Sequence, residues 1–317
     1  MNVAILGGAG FIGSHLVDRY LREGHSVVAV DNLCTGSLAN LAEAFAYETF
    51  SFVEADVTRA VPVDGPLDLI LHFASPASPV DYARLAVETL EVNSRGTQLA
   101  CELAEARGAR LVFASTSEIY GDPLVHPQTE AYWGNVNSIG PRACYDEAKR
   151  FGEALVTTHV RVGRLDARIV RIFNTYGPRM ALGDGRVVPN LLTQALTGQP
   201  LTIYGDGRQT RSFVYVDDLV EGIVRVAAYD LLRGAVVNLG RPDECTILEA
   251  ARLVAEVAGV PLLTELHPLP QDDPTRRCPD ITLARNLLGW EPRVALRDGL
   301  ERTIAWWRER PELTSAS

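Results

Sequence analysis

Tyr145 and Lys149 stand four residues apart, so a helix would set the phenol and the ammonium on one face, pointing the same way. A tyrosine with a pKa of about 10 is a poor base at neutral pH. A neighbouring cation that favours the phenolate would lower that value, and the same cation could hold a ribose. The chain writes its 30 basic side chains as 29 arginines and this one lysine. Arginine would supply charge without the compact, titratable head. A stray surface lysine is the plain alternative, and its place one helical turn after the tyrosine speaks against it.

Thr116, Ser117 and Glu118 follow an apolar run, Arg110 to Ser115, that reads as a strand. A hydroxyl at the carboxyl end of a parallel strand faces a cofactor crevice and can bond a substrate oxygen. Glu118 adds a carboxylate in the same loop, although such residues also form ordinary turns. Gly7, Gly10 and Gly13 sit between the first strand and the first helix as G-x-x-G-x-x-G. Missing side chains there let the backbone approach a pyrophosphate on the positive end of a helix. The second strand ends in Asp31, 18 residues after Gly13. Its carboxylate would accept from both ribose hydroxyls and repel a 2'-phosphate, which favours NAD over NADP. Asp56, after the third strand, could receive an adenine amino group or simply cap a helix. His72 has apolar flanks and reads as a core histidine rather than a catalytic one.

These residues need a frame. Asn2 to Leu6, Ser26 to Val30, Phe50 to Glu54, Leu67 to Phe73, Arg110 to Ser115 and Ala167 to Ile172 are rich in Val, Ile, Leu and Phe, as strands buried on both faces are. Ile12, Leu16 and Tyr20 repeat at helical spacing, as do Leu85, Thr89, Leu99 and Leu103. Alternating strand and helix implies right-handed crossovers and a doubly wound, Rossmann-type α/β fold with a parallel sheet. After Pro178, glycines at 183, 185, 198, 205 and 207 break the rhythm into shorter elements. Val216 to Ala228 reads as a helix and Ala235 to Leu239 as a strand that returns to the first domain; Thr246 to Ala258, Leu283 to Leu288 and Leu296 to Trp307 read as further helices. The expected division is an NAD-binding domain at 1–175 and 213–240, with a smaller, interleaved substrate domain at 176–212 and 241–317. Trp306 and Trp307 read as packing residues on an amphipathic helix.

Composition narrows the class. Of 317 residues, 47% are apolar and 22% charged, and 40 acidic against 30 basic side chains give a net charge of -10. That balance lacks the basic stripe of a nucleic-acid binder, and no apolar run approaches the ~18 residues that span a bilayer. The five cysteines form an odd set without a C-x-x-C pair, and no basic-then-apolar leader precedes the first strand. A reducing cytoplasm is the expected compartment.

The glycine motif, the Y-x-x-x-K pair and the S-T-S-E strand end resemble the extended short-chain dehydrogenase/reductase family, which works on nucleotide sugars. Longer strings narrow the likeness: HFASPASP (72–79), ASTSEIYGDP (114–123), GPRACYDEAKR (140–150), RIFNTYGPRM (171–180), DGRVVPN (184–190), QTRSFVYVDDLV (209–220) and DDPTRRCPDI (272–281). Together they are similar to the UDP-glucuronate decarboxylases, or UDP-xylose synthases, nearly from end to end. Ser117 stands where nucleotide-sugar 4,6-dehydratases carry the Asp that expels the 6-hydroxyl, and simple 4-epimerases generally lack Glu118.

The resemblance implies a carboxy-lyase that uses bound NAD+ and no metal. Tyr145, with its pKa depressed by Lys149, would take the O4 proton while C4 is oxidised, with Thr116 on the same oxygen. Loss of carbon dioxide from the 4-keto uronate would leave an enolate, and Glu118 and Ser117 would position water or relay the C5 proton. Phe11, Ile12, Asn32, Thr35, Gly36, Val57, Phe73, Ala74 and Asn93 would join the glycines, Asp31, Asp56, Tyr145 and Lys149 around the cofactor. Ser75, Arg186 and Gln209 would touch the substrate, with Asn174 on its diphosphate. Arg142, Arg211 and Arg277 would meet phosphates or carboxylate, and Val188 and Tyr204 would flank the uracil. One departure is Glu91, two residues before Asn93, where relatives often carry lysine near the substrate. Relatives pair as homodimers through a four-helix bundle, here the helices at 85–105 and 145–159. Two other readings stay open: a UDP-sugar 4-epimerase, if Glu118 is idle and the carboxylate survives, and a non-catalytic NAD-binding regulatory protein. Intact Tyr145, Lys149 and Thr116 argue against the last.

Overall fold

The computed structural model describes residues 1–310. Its chain begins with β1 (Asn2–Leu6), α1 (Phe11–Arg22), β2 (Ser26–Asp31), β3 (Phe50–Glu54) and β4 (Leu69–His72). Three helices follow, α2 (Pro79–Arg84), α3 (Ala86–Glu91) and α4 (Thr97–Arg107), then β5 (Arg110–Thr116), α5 (Ala143–Arg161), β6 (Ala167–Ile172) and the short β7 (Thr175–Tyr176). The remainder comprises α6 (Val187–Leu196), β8 (Leu201–Tyr204), β9 (Thr210–Ser212), β10 (Val214–Tyr215), α7 (Val216–Ala228), β11 (Val236–Leu239), β12 (Glu244–Thr246), α8 (Ile247–Ala258), β13 (Thr264–His267), β14 (Arg276–Arg277), α9 (Thr282–Leu288) and α10 (Leu296–Arg308).

Seven strands form one sheet in the order β11-β6-β5-β4-β1-β2-β3, every pair parallel. The period of two along each strand sends alternate side chains to opposite faces. Val3, Ile5, Leu69, Leu71 and Val112 join the core under α1 and α7, while Ala4, Leu6, Ile70, Leu111 and Phe113 join the core under α4 and α5. The strand order reverses between β1 and β4, so the crevice at their carboxyl ends is a ligand site by topology. β11 returns to the sheet beside β6, as expected of the Ala235 to Leu239 run, and β7 pairs with β10 outside it.

Two expectations are corrected. The strand expected over Leu67 to Phe73 is confined to Leu69–His72. The long helix before Gly108 breaks at Leu85, whose φ of -116° and ψ of 47° end α2, and then widens into a π-helical turn over Val92–Gly96. Asn93 lies in that turn, with its side-chain amide donating to Ser75 Oγ at 2.9 Å and to the Thr89 carbonyl at 2.8 Å. Such bulges often re-aim a side chain at a functional site.

Candidate active site

Gly7 leaves β1 with φ at +81°, and a Cβ there would lie 2.6 Å from the Ala74 nitrogen. A Cβ on Gly13 would lie 2.0 Å from the Gly7 carbonyl oxygen. Only glycine lets the loop fold this tightly over the start of α1, so the amino end of the helix stays open to an anion. Asp31 is buried at the end of β2, where its Oδ2 accepts from the Ala9 amide at 3.0 Å and its Oδ1 from the Leu33 amide at 2.8 Å. Burial raises its pKa, and these amides oppose that rise. Gly36 is tight against the same carboxylate, since its Cβ would come within 3.0 Å of both oxygens.

Two cavities meet at this loop. The smaller, about 120 Å³, is walled by Asp31, Asn32, Thr35, Asp56, Val57 and Ala74. Asp56 accepts there from the Thr58 amide at 2.9 Å, closing a turn rather than capping a helix, since no helix lies between β3 and β4. Glu91 lies on this wall with Glu88 rather than on the larger cavity, so the departure at that position falls beside Asp31 and Asp56. The larger cavity, about 490 Å³, runs from Gly10, Phe11 and Ile12 past Phe73 and Ser75 to Thr116, Ser117, Glu118, Tyr145, Lys149, Asn174 and Arg186. That volume suits a small organic ligand. The glycine cradle, the carboxylate and the joined cavities fit a dinucleotide, with Asp31 placed for a ribose.

At the far end, α5 delivers Tyr145 and Lys149 against the end of β5. Tyr145 is 6% exposed and Lys149 3%. The Tyr145 ring stacks on Tyr82 at 5.1 Å between centroids, and the Lys149 ammonium donates to the Ala114 carbonyl at 2.8 Å. Thr116 accepts from the Glu118 amide at 3.2 Å and so caps the single turn that carries Ser117 and Glu118.

The electrostatics correct one expectation. Burial raises the Tyr145 pKa; hydrogen bonding to Thr116 and the charge of Arg186 pull it back. The phenol is thus held up rather than depressed; Arg186 is one cation that opposes this, and the Lys149 ammonium, which donates to the backbone of β5, lies 5.8 Å from the Tyr145 ring centroid. Lys149 is itself lowered to about 7 by burial, with Glu153 opposing. His72 is fully buried, lowered to about 3 by burial, and bonds Thr97 Oγ1 at 3.1 Å. It is a core residue, as its flanks suggest.

Glu118 is clamped. Arg277 reaches it with two nitrogens, one at 2.9 Å, and Arg142 with a third. Burial works against its charge, yet the Arg277 and Arg142 guanidiniums hold the carboxyl down to about 2. Arg211 donates to Asp273 at 2.8 Å, and Arg142 lies 3.8 Å from the same carboxylate. The three arginines expected on the ligand therefore gather around Glu118 and Asp273, and none of them walls either cavity. Three guanidiniums thus face the carboxylates of Glu118, Asp273 and Asp146, and the protonation of Asp146 sets whether the cluster carries an excess positive charge.

Arg186 pairs with Asp184 on the larger cavity wall, and Asn174 keeps a buried side-chain nitrogen without a partner there. Val188 is packed into the core on α6, whereas Tyr204 is 39% exposed at the end of β8, with Gln209 donating to its carbonyl. Neither these three residues nor Asn93 lines a cavity, Asn93 acting from behind through Ser75. Sequence reasoning missed Asp146. It is 6% exposed, leaves Oδ1 without a partner, and is pushed up to about 7 by burial and by the charge of Glu118. It also missed Asp184 and Asp273, whose only signal was proximity to arginines. Trp307 is fully buried, as expected, while Trp306 also shows a face to the larger cavity.

Comparison with known proteins agrees with this geometry. Residues 3–240 match the NAD dependent epimerase/dehydratase family. UDP-glucuronic acid decarboxylase 4 of Arabidopsis thaliana is 50% identical over 313 residues, which are 98% of this chain and 69% of that one. The dTDP-glucose 4,6-dehydratase of Streptomyces venezuelae, solved with NAD, superposes with a TM-score of 0.90 at 30% identity over 99% of both chains. The UDP-glucuronic acid 4-epimerase of Bacillus cereus, solved with UDP-glucuronic acid and NAD, gives 0.88 at 26% identity over 98% of this chain and 99% of that one. The chain belongs to the NAD dependent epimerase/dehydratase family.

Proposed function

We propose that the protein decarboxylates UDP-glucuronate to UDP-xylose and carbon dioxide, using bound NAD+ as an internal redox partner. The observation that carries this reading is the loop at the end of β5. There Ser117 replaces the acid a dehydratase needs, and Glu118 is held ionised by Arg142 and Arg277 beside Tyr145. The half-identical decarboxylase from Arabidopsis thaliana supports it.

NAD+, when bound, supplies the hydride acceptor for C4 and returns the hydride at the end. Gly7, Gly10 and Gly13 offer the helix end to its pyrophosphate, and Asp31 accepts from a ribose. Tyr145 takes the O4 proton, with Arg186 and Thr116 offsetting the cost of forming a buried phenolate and the Lys149 ammonium, 5.8 Å from the ring, favouring the same charge. Once C4 is a ketone, the carboxylate is β to it and carbon dioxide leaves with its bonding pair left on the sugar. The enolate charge rests on O4, where the Tyr145 O–H and the Thr116 hydroxyl donate. C5 then takes a proton from water held at the Ser117–Glu118 turn, which the ionised Glu118 orients, and Tyr145 returns its proton to O4. Arg186, Asn174 and Ser75, which line the larger cavity, hold the diphosphate and sugar.

Incubation with UDP-glucuronate tests this directly. Carbon dioxide with UDP-xylose is the expected result. UDP-galacturonate would install the epimerase reading, and no turnover with NAD retained would install a binding role. We also infer the two interleaved lobes at 1–175 with 213–240 and 176–212 with 241–317, a division that the return of β11 to the sheet supports. A homodimer through α3, α4 and α5 is the expected assembly, supported by exposed Val87 (64%) and Leu90 (45%) on α3 and Phe151 (52%) on α5. Five unpaired cysteines support a reducing, cytoplasmic setting.

A further inference from the structure

Glu153 lies one helical turn beyond Lys149 on α5, so Tyr145, Lys149 and Glu153 follow one another along one helix face. Its side chain is 12% exposed and fixed from two strands. Oε1 accepts from the Ser115 hydroxyl at 2.5 Å and from Arg171 Nε at 2.9 Å, and Oε2 accepts from Arg171 Nη2 at 2.7 Å. Arg171 is held in turn by the Tyr120 hydroxyl at 2.9 Å and the Glu130 carbonyl at 3.0 Å. Ser115 is the neighbour of Ala114, whose carbonyl receives the Lys149 ammonium. The lysine and the carboxylate are therefore anchored on consecutive residues of β5.

The groups around Lys149 are few. Tyr145 faces it from α5, with the ammonium 5.8 Å from the ring centroid, and the Phe113 ring from β5 lies at 5.2 Å. His72 on β4 senses its charge and is neutral at working pH. Arg171 on β6 reaches the cluster through Glu153. Glu153 is the anion that favours the ammonium, against the burial that lowers it to about 7. A group titrating that close to neutral pH has its state decided by one nearby charge.

We propose that Glu153 is a positioning residue that keeps the Lys149 ammonium charged and in place, with Ser115 and Arg171 holding the carboxylate for that task. The inference rests on Lys149 serving the reaction proposed above. Its test does not require that reaction, because Lys149 is the only lysine in the chain. Lysine labelled with carbon-13 at Cε gives one side-chain resonance, whose pH titration in the NAD-loaded protein reads Lys149 alone.

In Glu153→Gln, which keeps the shape and can still bond Ser115, the midpoint falls by about one pH unit, a roughly tenfold weaker hold on the proton. In Arg171→Gln, which leaves Glu153 without its counter-ion, the midpoint rises. The alkaline limb of carbon dioxide release from UDP-glucuronate moves with each midpoint, and the deficit of Glu153→Gln relative to wild type shrinks as pH falls below about 6. A purely structural role would lower activity evenly across pH and move both midpoints in the same direction or neither; either result overturns the proposal, and each variant tests it if the other fails to fold. A wild-type protein that releases no carbon dioxide would overturn the proposed function while leaving the titration readable.

Discussion

Lys149 could be singled out by counting, but what it does to Tyr145 could not. A lone lysine four residues after a tyrosine is visible in one dimension. The direction of its ammonium depends on which carbonyl of β5 lies under α5, and that is the Ala114 carbonyl at 2.8 Å. Arg186 adds its charge toward the phenol because α6 begins beside the site, an adjacency that no local pattern encodes. The same limit hid Asp146, Asp184 and Asp273, which are ordinary carboxylates until folding places them among guanidiniums. Tyr145→Phe should abolish turnover while leaving NAD bound, since the ring still stacks on Tyr82 and only the oxygen is lost; retained activity in a carbon dioxide assay would remove Tyr145 as the base. Lys149→Arg keeps a cation but cannot fit a planar fork where a compact head meets one carbonyl, so a loss of at least about a hundredfold in kcat is expected. Near-native turnover would mean that charge alone suffices. Glu118→Gln leaves Arg142 and Arg277 facing a neutral amide. Binding of UDP-glucuronate should then persist while carbon dioxide release falls by roughly 10²-fold, the loss expected when no carboxylate orients the water that protonates C5.

Helices and strands set how well those side chains meet, and here the sequence was more legible. The run Val216 to Ala228 matches α7 residue for residue, because Val216, Leu219, Val220, Ile223 and Val226 repeat at helical spacing. Thr246, expected inside α8, instead caps it, its hydroxyl accepting from the Glu249 amide while Glu249 reaches back. The break at Leu85 and the π-helical turn at Val92–Gly96 were illegible, since both lie where this segment packs on α5 and neither has a local sequence signal. Gly152 marks where α5 lies closest to the sheet: a Cβ there would sit 2.4 Å from the Phe113 ring, the ring that also lies 5.2 Å from the Lys149 ammonium. Gly152→Ala should push α5 off β5, separating Tyr145 and Lys149 from Thr116. The expected outcome is a loss of about 1–3 kcal/mol in stability by chemical denaturation, as overpacking usually costs. A drop in kcat larger than any change in NAD affinity should accompany it; unchanged kcat would show that the helix has slack at that point.

Across the whole molecule, the larger cavity is closed by a segment that arrives late in the chain. Residues 179–182 form part of its wall, and they are tied to α1 twice: His15 Nε2 donates to the Pro178 carbonyl at 3.0 Å, and Arg179 donates to Asp18 at 2.6 Å. Arg179 accepts a left-handed φ of 68° to do so, a strained backbone of the kind found beside functional sites. The ties couple acid stability to the integrity of the site. Burial holds His15 neutral, lowering its pKa from 6.5 to about 4. The unfolded chain protonates this residue as pH falls below about 6.5, but the folded chain cannot until about 4, so stability present above that window is lost within it. His72, lowered to about 3, acts in the same sense, whereas Asp146, pushed up to about 7, gains stability as pH falls. A single curve would mix these contributions, and a difference between two proteins isolates one. His15→Gln can keep a donor for the Pro178 carbonyl yet has nothing to titrate. Denaturation midpoints measured at pH 7.5 and at pH 5 should therefore fall less for the variant than for the wild type. Parallel losses in the two proteins would show that His15 is solvated enough to protonate in the folded state, and that the tie between α1 and the cavity wall is looser than its geometry implies.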